Sequence, residues 1–271
     1  MQICFCSPKS GIETVEVTRV HTTTKALVLR SVDYKETDRI LTLLAQDRGK
    51  LTASARGSRK RGSPLAAGSQ LLCWSEVVLF DYQGRWTIKE MNIERQFDGV
   101  RRDIEKLALA CYFAQVTELL AVEGLPCPEL LSLTLNSLHA LERMNKPLAL
   151  VKAAYELKAL CLAGYEPLLE GCGVCGAEEP KELRFHLREG VLHCAGCKSR
   201  LGDGISMPLD QTALEAMRHI VYGDPKRLFS FVAGGKSLKL LADLSEAYLH
   251  TQLERGFSTL DFYKQMTITA P

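Results

Sequence analysis

Four cysteines stand in two pairs whose spacing is typical of a metal site. Cys172-Gly-Val-Cys175 and Cys194-Ala-Gly-Cys197 have 18 residues between them. Two intervening residues let both thiolates of a tight turn face one centre, and four thiolates complete the tetrahedron that structural zinc prefers. We therefore predict that these four residues bind one structural Zn²⁺. Since sulfur fills every position of that tetrahedron, we expect no metal-bound water and no metal-based catalysis.

The sequence also allows other states of these four cysteines. Four thiolates could hold an iron–sulfur cluster, or the cysteines could be free or disulfide-bonded. His193 adjoins Cys194, and we expect it to be an exposed strand residue rather than a ligand that replaces one sulfur. The chain between the pairs predicts a two-stranded ribbon with a turn at Glu189-Gly190, and its apolar strand positions are Phe185, Leu187, Val191 and Leu192.

The remaining six cysteines are scattered along the chain, which argues against a disulfide framework and favours a reducing compartment. No apolar run approaches the roughly 18–20 residues of a membrane-spanning helix. The first 24 residues also lack the basic and apolar regions of a secretory signal. We therefore predict a cytoplasmic protein without a membrane partner.

Positive charge is concentrated in the N-terminal part, where a polyanion would be met. Residues 25–97 contain 13 Lys and Arg against 8 Asp and Glu, whereas residues 98–271 contain 19 against 22. No acidic residue occurs from Arg48 to Gly62, a span that includes a Gly/Ser-rich loop whose long cations can follow a phosphate backbone. The predicted DNA-binding residues are Lys35, Arg39, Lys50, Arg56, Arg59, Lys60 and Arg61. The alternative is that this run of charge is an ordinary solvated face.

Five short strand-like segments must position these cations. Between residues 25 and 97, apolar runs are separated by turn signals, including Gln83-Gly84 between the last two strands. Five strands in so short a stretch predict an OB-fold barrel, a fold that binds oligonucleotides on one face. Four aromatic residues could stack on bases if they are exposed or pack in the core if they are not: Tyr34, Trp74, Tyr82 and Trp86.

Helical periodicity replaces the strand pattern from residue 98 onwards. The predicted fold class is therefore α+β multidomain, with a five-stranded OB-fold barrel followed by an α-helical domain. Residues 1–24 are predicted to be an N-terminal extension, residues 25–97 the nucleic-acid-binding domain, and residues 98–271 the helical domain. A four-cysteine zinc module at residues 172–201 is predicted to be inserted in the helical domain.

Sequence patterns of the common enzyme classes do not occur in this chain. Gly234-Gly-Lys-Ser237 resembles the end of a phosphate-binding loop, but the glycine needed at position 230 is Ser230. The patterns H-E-x-x-H, G-x-S-x-G and the H-x-E of zinc deaminases are missing from the sequence. We therefore predict a binding protein rather than an enzyme.

The order of these features resembles the RecO family of bacterial DNA-repair and recombination mediators. The correspondence begins at Lys25-Ala-Leu-Val-Leu-Arg-Ser and is closest at Arg48-Gly-Lys-Leu-Thr-Ala-Ser-Ala-Arg-Gly-Ser-Arg-Lys. It includes Leu162-Ala-Gly-Tyr165 and extends to Gly234-Gly-Lys-Ser-Leu-Lys239. Two segments depart from the family pattern: residues 1–24 precede it, and Pro64-Leu-Ala-Ala-Gly68 stands where many relatives have further arginines.

The resemblance implies binding of single- and double-stranded DNA and annealing of complementary strands. It also implies that the protein helps RecR, and in some members RecF, to load RecA recombinase onto DNA coated by single-strand binding protein. The helical domain is the expected dock for the C-terminal tail of single-strand binding protein. Two rival functions stay open: a zinc-ribbon nucleic-acid-binding factor of transcription or translation, and a nuclease or nucleic-acid ligase.

Overall fold

The structure is a computed structural model, and it describes residues 20–178 and 182–269. Its strands are β1 Val20–Tyr34, β2 Asp38–Ala45, β3 Gly49–Ala55, β4 Trp74–Tyr82, β5 Arg85–Arg95, β6 Leu183–His186, β7 Val191–Cys194 and β8 Ser206–Pro208. Its α-helices are α1 Asp98–Arg101, α2 Ile104–Leu120, α3 Pro128–Arg143, α4 Leu148–Leu162, α5 Gln211–Tyr222, α6 Gly235–Leu253 and α7 Ser258–Thr269. A strand-rich region therefore precedes a helical one, and the predicted α+β fold class is confirmed.

Strands β1 to β5 form a closed barrel in the order β1-β2-β3-β5-β4. Neighbouring strands run antiparallel except β3 and β5, which are parallel. The long β1 pairs with β4 through its first half and with β2 through its second half, and the register shifts between Val28 and Arg30. A bulge of this kind bends a strand, which lets β1 serve both neighbours. The predicted five-stranded, OB-like barrel is confirmed.

The first strand begins earlier than the sequence predicts. Residues 20–24, predicted to be part of an N-terminal extension, pair in register with β4, for example Thr24 with Val77. Three consecutive threonines supply the β-branched side chains that favour a strand, but they lack the apolar residues by which the other strands are recognised. The rest of the predicted extension, residues 1–19, lies outside the described residues.

The barrel has its own apolar interior and also contributes to the helical core. Side chains of β3 alternate in burial, and Leu51 and Ala53 point into the barrel interior. Leu27, Leu29 and Leu44 belong instead to the apolar cluster of the helices. The outer side of β1 and β2 is therefore covered by helices.

Helix α4 lies at the centre of the helical domain, where it packs against α3, α5 and α6. Tyr155 of α4 stacks on Phe113 of α2 with 4.1 Å between ring centroids. The sequence does not predict α7, whose buried apolar positions include Leu260 and Tyr263. Across the described ranges, no helix combines the length and apolarity needed to cross a bilayer.

Gly49 lets the barrel approach the helical domain closely. Its φ is +63°, and a Cβ at this position would lie 1.9 Å from the carbonyl oxygen of Leu125. The next residue, Lys50, forms an isolated β-bridge with Glu123 and accepts a hydrogen bond from the N–H of Gly124 at 3.0 Å. Because glycine alone tolerates both the φ and the approach, this turn joins the barrel to the α2–α3 connection.

Strands β6, β7 and β8 form a small antiparallel sheet with β6 in the middle. The predicted turn between β6 and β7 is present, with Gly190 at a φ of +65°. The third strand, β8, lies beyond residue 201, where the sequence places the end of the zinc module. The side-chain amide of Gln252 in α6 donates to the carbonyls of Leu187 and Arg188 at 2.8 and 3.0 Å. These bonds attach the sheet to the helical domain.

Candidate metal centre and nucleic-acid interface

The four predicted metal ligands come together in the structure. The sulfur atoms of Cys172, Cys175, Cys194 and Cys197 all lie within 4.8 Å of one another. The sulfurs of Cys175 and Cys194 are 3.8 Å apart. A tetrahedron with metal–sulfur distances of about 2.3 Å has edges of about 3.8 Å. The spacing of the thiols therefore fits a closed four-sulfur metal site.

Backbone hydrogen bonds position these sulfurs. The N–H of Gly176 donates to the carbonyl of Cys172 at 2.9 Å and closes the first turn. The N–H of Gly173 donates to the carbonyl of Leu192 at 2.9 Å, which ties this turn to β7, the strand that ends at the third cysteine. Cys197 follows in a short 3₁₀-helix. Each cysteine pair is thus held by local backbone geometry and by the hairpin between the pairs.

The electrostatics of the cluster favour a cation at its centre. Burial opposes ionisation of Cys172, but the N–H groups of Cys175, Cys194 and Val174 point at its sulfur and lower its pKa to about 6. Burial and the neighbouring sulfurs of Cys175 and Cys172 raise the pKa of Cys194 to about 12. Since thiolates at this spacing repel one another, a bound cation is what allows all four to ionise together.

His193, next to the cluster, is fully buried rather than exposed as the sequence predicts. Its Nδ1 lies 2.8 Å from the carbonyl oxygen of Cys194, and its Nε2 lies 2.9 Å from the hydroxyl of Ser206. A carbonyl oxygen only accepts, so Nδ1 carries the hydrogen that is donated to Cys194. Ser206 belongs to β8, a strand that the sequence does not predict, and for this reason the burial of His193 is missed.

One end of the barrel gathers six of the seven predicted DNA-binding cations. The β1–β2 turn meets the end of β3 there, because Arg39 pairs with Ala55 in the β2–β3 register. The β4–β5 turn lies at the same end, because Ala53 pairs with Trp86 at the start of β5. OB-folds bind oligonucleotides with the face of their second and third strands and with the loops that correspond to the β1–β2 and β4–β5 turns. We call this surface the basic end, and it consists of Lys35, Arg39, Arg56, Arg59, Lys60 and Arg61.

The seventh predicted cation, Lys50, lies at the opposite end of β3. Five residues separate it from Arg56, and six steps of about 3.3 Å along an extended chain span about 20 Å. Its Nζ donates to the carbonyl oxygen of Glu118 in the last turn of α2 at 2.8 Å. A lysine in this position satisfies a carbonyl that the helix end leaves unpaired and complements the negative end of the helix dipole. The structure therefore separates Lys50 from the basic end and gives it a structural partner.

Lys60 and Arg61 of the basic end have no partner among the residues that the structure describes, and Arg56 has only a longer-range electrostatic interaction with Asp38. The side chains of Arg56, Lys60 and Arg61 are exposed and form no ion pair or hydrogen bond within these ranges. The ammonium group of Lys35 lies 5.3 Å from the centre of the Tyr34 ring, a cation–π distance. Unpaired guanidinium and ammonium groups at one surface are available to an anionic ligand.

The other two cations of the basic end share one carboxylate. The Nε of Arg39 lies 3.2 Å from Oδ1 of Asp33, and the Nε of Arg59 lies 3.3 Å from Oδ2 of the same residue. Arg59 also donates through Nη1 to the carbonyl oxygen of Lys35 at 3.1 Å. Both guanidinium groups therefore converge on one anionic group at the β1–β2 turn.

Asp38 fixes the basic loop against the β1–β2 turn. The N–H of Gly57 donates to its Oδ1 at 2.7 Å, and the hydroxyl of Thr37 donates to the same oxygen at 2.9 Å. These hydrogen bonds, led by the one from Gly57, lower the pKa of Asp38. The backbone N–H of Arg59 donates to the carbonyl of Thr37 at 2.9 Å. The cations of the loop are thus held in place by backbone contacts.

The four aromatic residues singled out in the sequence fall into two groups. Tyr34 and Tyr82 are 48% and 46% exposed, and they lie at the β1–β2 and β4–β5 turns. Trp74 and Trp86 are half-buried: Trp74 donates through Nε1 to Glu94 at 2.9 Å, and Trp86 packs against the barrel core. Exposure therefore leaves the two tyrosines as the residues that could stack on bases.

A buried charged cluster in the helical domain has no counterpart in the sequence-based site. Lys152 and Glu156 are almost completely buried, and Nζ of Lys152 lies 2.9 Å from Glu156 and 2.8 Å from Glu246. Tyr112 and Ser245 donate to the two oxygens of Glu156 at 2.8 and 2.7 Å. The signal in the sequence is a Lys and a Glu four residues apart inside an otherwise apolar helix. Because every charge has partners, the cluster joins helices and leaves no group free for a ligand.

Comparison with known proteins matches both parts of the chain to one family. The family model described as Recombination protein O N terminal covers residues 20–97, and the one described as Recombination protein O C terminal covers residues 101–261. The chain belongs to the RecO family. The resemblance drawn from the sequence is confirmed, and membership in the RecO family assigns the chain to DNA repair and recombination.

Individual members of the RecO family align with nearly the whole chain. A DNA repair protein RecO of Acetivibrio thermocellus is 32% identical over 244 residues, which cover 90% of this chain and 96% of that protein. One of Alkaliphilus metalliredigens is 27% identical over 244 residues, covering 90% and 98%. One of Desulfitobacterium hafniense is 30% identical over 233 residues, covering 85% of each. The N-terminal RecO match begins at residue 20, where β1 begins.

Proposed function

We propose that this protein is a recombination mediator that binds single- and double-stranded DNA through the basic end of its barrel. The observation that carries the proposal is the group of Arg56, Lys60 and Arg61, which are exposed and form no ion pair or side-chain hydrogen bond in the described ranges. They lie beside the two loops that OB-folds use for oligonucleotides. Contacts of such cations with phosphates bind any sequence and weaken as salt is added. The cations are the proposed means of strand binding, and Tyr34 and Tyr82 are the proposed stacking residues.

Annealing follows from the same chemistry. Cations that neutralise the phosphates of one strand lower its repulsion of a complementary strand, and base pairing then joins the two. We infer that the protein acts in the bacterial cytoplasm at the nucleoid, with RecR and in some circumstances RecF, and helps load RecA onto DNA coated by single-strand binding protein. We place the tail of single-strand binding protein on the helical domain. Membership in the RecO family supports these roles, which need no covalent chemistry.

We further propose that the four cysteines bind one Zn²⁺ and that its role is structural. Four sulfur donors match the preference of zinc and leave the ion no open position for water. The module is attached to α6 through Gln252, so the ion would stabilise the sheet and its contact with the helical domain. DNA repair in this proposal depends on the barrel, and the metal keeps the helical domain intact.

A charge-removal variant tests the DNA-binding surface. We expect the triple change Arg59→Ala, Lys60→Ala and Arg61→Ala to weaken binding of single-stranded oligonucleotides of every sequence. The plot of log affinity against log salt should become flatter by about 2 units, since each phosphate contact on a single strand contributes about 0.7. Fluorescence anisotropy across a salt series measures both quantities. An unchanged affinity and an unchanged slope would remove the basic end from the DNA footprint.

A matched control variant removes the same number of positive charges from the helical domain instead of the barrel. Lys226, Lys236 and Lys239 are exposed residues of the helical domain, and replacing all three with alanine removes the same three charges. We expect this variant to keep nearly the wild-type slope, because the removed charges lie away from the barrel. Annealing of complementary strands coated by single-strand binding protein, with and without RecR, then tests the mediator role on both variants.

A further inference from the structure

We propose that Arg39 and Arg59 form a phosphate subsite and that the carboxylate of Asp33 occupies this subsite in the free protein. The inference rests on the proposed DNA-binding function and adds a feature to it. An incoming phosphate would displace Asp33 and take over both guanidinium groups. Competition by Asp33 would thereby lower the affinity of the protein for a DNA strand and reduce the salt dependence of that affinity.

The geometry around Asp33 is that of an anion held by two guanidinium groups. Oδ1 accepts a hydrogen bond from Nε of Arg39 at 3.2 Å, and Oδ2 forms an ion pair with Nε of Arg59 at 3.3 Å. A backbone phosphate also presents two outward oxygens, and arginine binds carboxylate and phosphate with the same planar fork. A phosphate can therefore replace the carboxylate without a new arrangement of the arginines.

Asp33 is not needed to hold Arg59 in place. The Nη1 of Arg59 donates to the carbonyl of Lys35 at 3.1 Å, and its backbone N–H donates to the carbonyl of Thr37 at 2.9 Å. Asp38 also holds the same loop through the N–H of Gly57. Since these contacts do not involve Asp33, the arginine keeps its position when the carboxylate leaves.

The exposure of the three side chains shows which one a ligand can displace. The side chain of Asp33 is 56% exposed, against 27% for Arg39 and 34% for Arg59. Asp33 is thus the most exposed of the three side chains. An exposed ion pair of this kind contributes little to stability, so its replacement by a phosphate costs the fold little.

The surroundings of the subsite continue the proposed strand path. Lys35 and Tyr34 follow Asp33 directly in the β1–β2 turn, and the ring of Tyr34 is 48% exposed. The unpaired cations Lys60 and Arg61 follow Arg59 in the basic loop. A strand whose phosphate sits between Arg39 and Arg59 therefore has an exposed ring on one side and further cations on the other.

The change Asp33→Asn tests the subsite, because it keeps the shape of the side chain and removes its charge. We expect affinity for single-stranded DNA at low salt to rise about three- to tenfold, and the salt dependence to become steeper by about 0.7 for the one phosphate newly bound by free guanidinium groups. The change Glu36→Gln is the matched control. Glu36 lies in the same turn, is exposed, and has no ion pair among the described residues. The change Glu36→Gln should raise the affinity for single-stranded DNA less than Asp33→Asn does, and it should leave the salt dependence almost unchanged.

The outcomes separate this inference from the proposed function. Equal effects of Asp33→Asn and Glu36→Gln would show a general charge effect, and a weaker affinity of Asp33→Asn would show a positioning role; either result overturns the subsite. Adding Arg59→Ala to Asp33→Asn should abolish the gain, which a general charge effect would not predict. If the triple variant of residues 59–61 also binds normally, the proposed DNA-binding surface itself fails.

Discussion

Lys152 and Lys60 carry the same ammonium group, yet the fold uses the two residues in opposite ways. Lys152 is buried between Glu156 and Glu246, and it joins α4 to α6. Lys60 is exposed in the loop after β3 and has no partner in the described ranges. The buried cluster of the helical domain thus uses its charges to join helices, whereas the basic end of the barrel exposes cations that form no ion pair in the described ranges. A buried, fully paired charge indicates a structural role, whereas an exposed charge stays accessible to a ligand.

Removal of the metal should give the largest effect, and it should fall on the fold rather than on DNA binding. In isolated zinc modules the metal contributes about 10–16 kcal/mol to folding. We expect purified protein to contain one zinc per chain, and chelation or Cys194→Ser to lower the unfolding temperature strongly. The readouts are metal analysis, calorimetry and oligonucleotide binding below the unfolding temperature. A metal-free protein that unfolds at the wild-type temperature would contradict a structural role of the metal. A selective loss of DNA binding would contradict the separation of the metal site from the DNA-binding surface.

The change Lys152→Met should destabilise the protein by about 3–5 kcal/mol, because it leaves Glu156 and Glu246 without their shared cation. The same change at the exposed Lys60 should alter the free energy of unfolding by no more than about 0.5 kcal/mol. Urea unfolding of both variants measures the difference. Similar losses at the two sites would contradict the contrast between a structural and a free lysine.

The buried cluster should also make stability fall at acid pH. Burial opposes ionisation of Glu246, but Lys152 and Lys264 prevail and lower its pKa below the ordinary value of 4.5. A carboxylate with a depressed pKa in the folded state contributes stability above its unfolded pKa and loses it as pH falls through the folded pKa. We expect unfolding temperatures to drop below pH 4.5 and the change Glu246→Gln to reduce this dependence. Parallel pH curves for variant and wild type would contradict the assignment.

The smallest expected effect is on DNA binding by Lys60→Met. Loss of one phosphate contact should weaken affinity for single strands modestly and flatten the salt slope by about 0.7. Lys152→Met should leave the slope of the folded protein unchanged. Anisotropy titrations of both variants, at a temperature where both are folded, complete the comparison. A greater loss of DNA affinity in Lys152→Met than in Lys60→Met would contradict the assignment of Lys152 to the fold and of Lys60 to DNA binding.

Local chemistry is what the sequence predicts best. The spacing of Cys172 to Cys197 predicts the cysteine cluster because two residues between thiols and a short hairpin suffice to bring four sulfurs together. The five barrel strands are likewise recognisable from local apolar runs and turn signals, apart from the threonine-rich start of β1 at residues 20–24. The burial of His193 is missed because it depends on Ser206, a residue in a strand formed by the tertiary fold.

The amino-acid sequence by itself determined the family, the barrel-then-helix order and the cysteine cluster, since each depends on residues near one another in the chain. Tertiary structure decided which charged groups are free. Lys50 and Arg56 flank one strand in the sequence, yet the strand carries them to opposite ends, and Lys50 is taken by the carbonyl of Glu118. Asp33 came to face Arg39 and Arg59 only because β1, β2 and the loop after β3 meet. Charges that lie on different strands and loops pair according to their distance in space, which their spacing along the chain does not give.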